Sequence, residues 1–173
     1  MKPAWATALA LGLAAMMASA AEVRAAPAPQ VSIASLKELP TPLPLPYDPT
    51  ADAKAQLAAA QAQARARHKL LLIDLGGDWC ADCRLLAGVM SLPEVKSFVE
   101  AHYVVVAIDA GRRMDRNLDI PARYGIRRIV GVPSILIVDG AGRLLDADHI
   151  AALADARSMT PQALADWLAR WTR

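Results

Sequence analysis

Leu70-Leu71-Leu72-Ile73-Asp74-Leu75, Asp78-Trp79-Cys80-Ala81-Asp82-Cys83 and Arg84-Leu85-Leu86-Ala87-Gly88-Val89-Met90 follow one another closely, and the middle segment holds both of the chain's cysteines. The first run is apolar apart from one acid and predicts a buried strand over Leu70–Leu75. The last predicts a helix that carries Cys80 and Cys83 and runs to about Val89. Two residues separate the thiols, so a single helical turn brings their sulfurs within bonding reach. A strand, a short turn and a Cys-x-x-Cys pair at a helix start point to a dithiol that opens and closes as a disulfide.

A chain of 173 residues is long enough for one domain with a full core and additional segments. Nineteen basic and seventeen acidic residues leave a charge of +2. That balance, with no long basic run, argues against a nucleic-acid partner. Residues 1–20 read as a signal peptide: Lys2 gives a positive start, Trp5 to Met17 is apolar, and Ala18-Ser19-Ala20 offers small residues for cleavage. A second cut is available after Ala25, with Val23 and Ala25 as the small residues. The alternative is an uncleaved anchor, because Ala4 to Ala21 is just long enough to span a bilayer. The mature protein is therefore expected to be exported to a bacterial periplasm. Thiols outside the cytosol tend to be oxidised unless something reduces them, so a periplasmic or membrane-bound redox partner is expected. A disulfide closing so short a loop gains little chain entropy and makes a poor brace.

Residues 26–49 contain Pro27, Pro29, Pro40, Pro42, Pro44, Pro46 and Pro49, seven of the chain's twelve prolines. Proline removes backbone donors and favours extended geometry, so this segment is a linker or a strap laid over the domain. The domain itself is expected over 52–173. Asp52 to His68 is rich in alanine and glutamine and predicts a helix. Ser91 with Glu94 has the spacing of a capping box, predicting a helix to about Ala101. Tyr103 to Asp109 predicts the second strand, Asn117 to Tyr124 a short helix ended by Gly125, and Ser134 to Val138 a third strand. Asp139-Gly140-Ala141-Gly142 then predicts a turn into Arg143 to Asp146, closing a hairpin. The last helix opens at Thr160 with Pro161 in its first turn, and Leu164, Trp167, Leu168 and Trp171 form one apolar face. The order predicts an α/β fold: a mixed central sheet with helices on both faces and a C-terminal hairpin plus helix.

Asp74, Trp79-Cys80-Ala81-Asp82-Cys83 and Gly131-Val132-Pro133, in that order, make the chain resemble the thioredoxin-fold family over about Asp52 to Arg173. Within it the chain is most similar to exported bacterial thioredoxin-like proteins, whose motif is Trp-Cys-x-Asp-Cys followed by arginine, with a later Gly-Arg segment like Gly111-Arg112. The resemblance implies a thiol–disulfide oxidoreductase in which Cys80 is the attacking thiol and Cys83 the buried resolving thiol. It implies protein or small-molecule disulfides and dithiols as substrates, and no cofactor. A helix N-terminus stabilises a thiolate, which agrees with the role implied for Cys80. Asp74 matches the family's buried acid, a base for Cys83; otherwise it pairs with Lys54 or Lys69. Pro133 matches the family's cis-proline, whose loop faces the dithiol, offers backbone to the substrate and keeps metals off the thiols. Val132, Pro133 and Trp79 are accordingly the substrate-binding candidates.

Other uses of two cysteines are weaker. Structural zinc needs a second ligand pair, and haem attachment needs a histidine where Arg84 stands. Copper held by two thiolates with His68, His102 or His149 remains an alternative, as a copper chaperone or docking module. The family's Gly-Pro between the cysteines is replaced by Ala81-Asp82, and Asp78 adds a second acid. Both charges tilt the pair toward donating electrons, by about 20 mV against the roughly 150 mV that separates reducing from oxidising members. Arg127 and Arg128 favour an acidic partner or are solvated loop charges. Asp155-Ala156-Arg157-Ser158 is expected at the substrate-loop end of the domain.

Overall fold

A computed structural model of the chain describes residues 25–172. The signal-peptide expectation for residues 1–20 lies outside them, as does most of the stretch up to the second cleavage site. Among the described residues no helix is long and apolar enough to cross a membrane.

Three strands make the sheet: β1 (Leu70–Gly76), β2 (Tyr103–Asp109) and β3 (Ser134–Val138), in the order β2-β1-β3. β1 is central, parallel to β2 from Leu70↔Tyr103 to Gly76↔Asp109 and antiparallel to β3 from Leu71↔Val138 to Leu75↔Ser134. The alternation of a strand assigns its two faces. Leu71, Ile73 and Leu75 pack with Leu57, Ala60 and Ala64 of α1 (Ala53–Ala66), while Leu72 packs with α2 (Ala81–Met90), α3 (Pro93–His102) and α5 (Pro161–Ala169). α1 is capped by Asp52, whose carboxylate accepts the N–H groups of Lys54 and Ala55 at 3.0 Å each. α5 is capped by Thr160, with Pro161 at its first position.

The expected capping box does not form. Ser91 instead closes α2, its hydroxyl donating to the Ala87 carbonyl at 2.8 Å. α3 begins at Pro93, and Glu94 accepts the N–H of Ser32 at 2.7 Å. The helix expected over Asn117–Tyr124 shrinks to the single turn α4 (Asp119–Ala122). Asn117 adopts a left-handed conformation (φ 54°), its amide donating to the Asp109 carbonyl, and Gly125 (φ 82°) follows the turn.

The C-terminal hairpin is also not a strand pair. Among the described residues it is reduced to the isolated bridge Val138↔Leu144, with the Leu145 N–H donating to the Ile137 carbonyl at 2.8 Å. The outer edge of β3 is satisfied piecemeal: Asp139 N–H by the Arg143 carbonyl, Ile137 N–H by the Asp146 carboxylate at 2.9 Å, and Ile135 N–H by the Ile150 carbonyl. A buried carboxylate thus stands where a fourth strand's carbonyl would.

Residues 25–49 lie along the domain. Gln162 accepts the N–H of Val31 and donates to the Pro29 carbonyl, and the Ala26 N–H donates to the Thr172 carbonyl. Leu39 and Leu43 cover Gly88 of α2, where a Cβ would lie 3.2 and 3.0 Å from them. A side chain at Gly88 would need the ends of both leucines to give by a few tenths of an ångström.

Candidate active site

β1 ends at Gly76, and four residues turn the chain into α2. Cys80 occupies the N-cap position, with extended backbone (φ −91°, ψ 118°), and its sulfur accepts the Cys83 N–H at 3.1 Å. An N–H without an intrahelical partner therefore points at sulfur, at the positive end of the helix dipole. Cys80 and Cys83 are joined as a disulfide with Cα atoms 5.3 Å apart. Cys83 is fully buried and Cys80 is 7% exposed, so solvent reaches the pair through Cys80.

The Val132–Pro133 peptide is cis, and the Val132 carbonyl oxygen lies 3.5 Å from Cys80 Sγ. Ser134 Oγ donates to the Gly131 carbonyl at 2.6 Å and closes this loop. Gly131 is demanded by close approach, since a Cβ there would sit 2.8 Å from the Ala154 Cβ. Trp79 lays its half-buried indole over Gly77, where a Cβ would come within 2.8 Å of Cδ1. Val130, 66% exposed, and the exposed Arg127 and Arg128 lead into the loop.

Asp74 is completely buried in β1 between Ala107 and Ile135, neither of which ionises. Neither lysine offered by the sequence reaches it: Lys54 pairs with Asp119, and Lys69 donates to the Glu100 carbonyl. Burial pushes its carboxyl up to about 7, opposed only by the nearby Tyr47 hydroxyl. The two groups face each other without closing a hydrogen bond of normal geometry, and both Asp74 Oδ1 and Tyr47 Oη are buried without a partner. Residues 74 and 76 share one face of β1, and a Cβ on Gly76 would lie 2.6 Å from Tyr47 Oη and 2.8 Å from Cys83 Sγ. Acid, phenol and the Cys83 sulfur thus surround one point. Tyr47 is missing from the sequence-derived set; its only signal there is being the one aromatic residue of the Pro-rich segment.

Arg157 shows more in the structure than in the sequence. Asp82, 4% exposed, accepts its backbone N–H at 2.9 Å and its Nε at 2.9 and 3.0 Å, and Nη2 bonds the same carboxylate. Burial pushes the Asp82 carboxyl up, but the Arg157 hydrogen bonds and charge outweigh it and hold it below the usual range. Asp78 in turn accepts the Tyr47 N–H at 3.2 Å. The tilt toward electron donation expected from Asp82 and Asp78 as free charges is therefore largely cancelled at Asp82. Arg157→Gln should uncover that charge and lower the reduction potential of the pair by about 20 mV, with Asp82→Asn restoring it. Equilibration with glutathione measures this; an unchanged potential in Arg157→Gln would show that the guanidinium is not felt at sulfur.

No three His, Cys, Asp or Glu side chains among the described residues gather into a metal-holding group. His68 and His102 line a cavity of about 400 Å³ at the far end of the sheet, beside Leu70, and His149 meets Trp171 edge-on. The copper set of two thiolates and a histidine is therefore not assembled among the described residues.

Residues 52–140 match a family described as thioredoxin-like. The crystal structure of a disulphide isomerase from Xylella fastidiosa Temecula1 is 36% identical, with a TM-score of 0.66, covering 73% of this chain and 96% of that one. Thioredoxins of Chlorobaculum thiosulfatiphilum and Rickettsia bellii (strain RML369-C) are 33% identical over 78 residues and 30% identical over 67, or 45% and 39% of this chain. The chain spans 63% and 55% of the length of those two thioredoxins. Asp74, both cysteines and the cis-proline all fall inside the matched segment, on a mixed sheet flanked by helices, and the chain belongs to the thioredoxin-like family.

Proposed function

We propose that the protein is a periplasmic thiol–disulfide oxidoreductase that reduces or exchanges disulfides, with Cys80 as the attacking thiol and Cys83 as the resolving thiol. The observation that carries this reading is the Cys80 sulfur at the N-cap of α2, opposite the Val132 carbonyl. In the reduced protein the Cys80 thiolate attacks a substrate disulfide; one substrate thiolate leaves and takes up a proton, and a Cys80 mixed disulfide forms. Cys83 passes its proton to Asp74 and attacks the Cys80 sulfur, expelling the second substrate thiolate, which is protonated in turn. Two electrons and two protons have then moved to the substrate, and the Cys80–Cys83 disulfide is left.

A carboxyl with its pKa near 7 is matched to that proton transfer at neutral pH. The backbone at Val132 and Pro133 receives the substrate chain, and Trp79 gives it an apolar flank. The disulphide isomerase of Xylella fastidiosa supports exchange as well as net reduction. A dithiol partner, periplasmic or membrane-bound, returns the pair to the reduced state. Export rests on the apolar stretch and small-residue sites of residues 1–25.

Cys83→Ala tests the reading. This variant cannot resolve, so it should accumulate partners as mixed disulfides through Cys80, seen on non-reducing gels and lost with reductant. Cys80→Ser should trap none. A docking module would bind the same partners without a covalent link, and equal yields from the two variants would sink the assignment.

A further inference from the structure

We propose that Tyr47, carried in by the Pro-rich strap, is a positioning residue of the redox site, its hydroxyl bonding to Asp74 while Cys83 is a thiol and to the Cys83 thiolate once Asp74 holds the proton. The inference rests on the thiol–disulfide reading and deepens it. Tyr47 is 2% exposed, and its hydroxyl has no hydrogen-bond partner in the disulfide form. A buried hydroxyl without a partner is costly, and a disulfide sulfur accepts hydrogen bonds poorly. Reduction supplies what is missing. It converts Cys83 into a thiol whose proton moves to Asp74, and whichever of the two carries the negative charge is a strong acceptor. Around the Gly76 α-carbon the phenol oxygen and Cys83 Sγ already converge, with Asp74 on the same strand face.

The strap fixes this placement on both sides of the ring. Asp78 Oδ1 holds the Tyr47 N–H, Arg84 Nη2 reaches the Leu43 carbonyl at 3.4 Å, and Arg116 Nη2 holds the Pro49 carbonyl at 2.9 Å. The titratable groups facing the phenol are Asp74 from β1, Asp78 from the turn and Cys83 from α2; β2 and β3 flank Asp74 with Ala107 and Ile135. Burial and the charges of Asp74 and Asp78 push the phenol's pKa up, so it stays protonated and acts only as a donor. No net proton or electron passes through it: the Cys83 proton goes to Asp74, and the electron pair goes to the mixed disulfide.

The test mixes reduced protein with the aromatic disulfide DTNB in a stopped-flow instrument. The first thionitrobenzoate is released by Cys80 attack and the second by Cys83. Tyr47→Phe should leave the first phase unchanged. It should move the pH midpoint of the second phase up by about one unit, so that resolution is about tenfold slower below the midpoint. The hydroxyl closes no hydrogen bond of normal geometry in the oxidised protein and the ring is kept, so at pH 4, where Asp74 is protonated, the thermal midpoint of that form should not fall, which keeps the variant folded and the kinetics readable. A purely structural tyrosine would leave the second-phase pH profile where it is, and that result overturns the inference. Absence of a second release in the wild-type protein would overturn the resolving role of Cys83, and this inference with it.

Discussion

Asp74→Asn is expected to slow the second, resolving step of disulfide reduction about a hundredfold at pH 7, the lower range for loss of a general base. The same substitution should stabilise the oxidised protein. Burial raises the folded-state carboxyl to about 7 from an ordinary value of 3.8, with only partial relief from the Tyr47 hydroxyl. The unfolded chain releases that proton near pH 4, whereas the folded chain keeps it until about pH 7. Stability associated with protonated Asp74 is therefore complete below pH 4, falls as pH rises through this window, and is gone above it. Three pH units correspond to about 4 kcal/mol. An asparagine is neutral throughout, so Asp74→Asn should gain a few kcal/mol at pH 8 and almost nothing at pH 4. Asp146, pushed up to about 6 by burial, adds its own loss to both proteins, and the difference between their curves isolates Asp74. Urea unfolding of the oxidised forms at pH 4, 6 and 8 measures this. Equal midpoints at pH 8 would mean that the buried carboxylate is not destabilising and has no reason to act as a base.

The elements that read clearly in the sequence are those in which one physical signal dominates. β2 and β3 fall where continuous apolar runs place them, β1 extends one residue beyond, and α5 opens at its Thr-Pro pair. Misreadings cluster where a polar side chain has two possible partners. Ser91 had the right spacing to Glu94 for a cap, but Glu94 is taken by Ser32, a residue 62 positions away. Asp146 read as the end of a hairpin strand, yet its carboxylate takes the Ile137 N–H, while the Ile137 carbonyl keeps a backbone bond from the Leu145 N–H. The site divides in the same way. Cys80, Cys83 and Pro133 are visible through local chemistry and family resemblance. Tyr47 and Arg157 are recruited across the fold, Arg157 over 75 positions to Asp82, and local spacing carries no record of such contacts. The electron-flow argument from Asp82 loses weight for that reason: a charge was visible in the sequence and its paired Arg157 was not.

Removing residues 25–47 is expected to lower the unfolding free energy by about 5 kcal/mol, comparable to the whole stability of a marginal domain. Sequence alone left this segment as either a free linker or a strap, and the two make opposite predictions. A linker can be cut with no change in the unfolding midpoint. The described contacts argue otherwise: Leu39 and Tyr47 are buried, and Val31, Ile33, Leu36 and Leu43 pack half-buried against the cluster formed by α2, α3 and α5. Each fully buried side chain of this size contributes about 1.5–3 kcal/mol, and the partly covered ones less. Ordering the segment costs less than usual because six of its residues are prolines, already restricted in the unfolded chain. Truncation would also uncover Gly88 of α2 and leave Gly76 facing an empty space where the phenol was. Leu39→Ala in the full chain checks the same contact without truncation and should cost about 2–3 kcal/mol. Unfolding curves of residues 48–172 and of the full chain that superimpose would return the segment to a linker, and Tyr47 would then lose the anchor that places its hydroxyl beside Cys83.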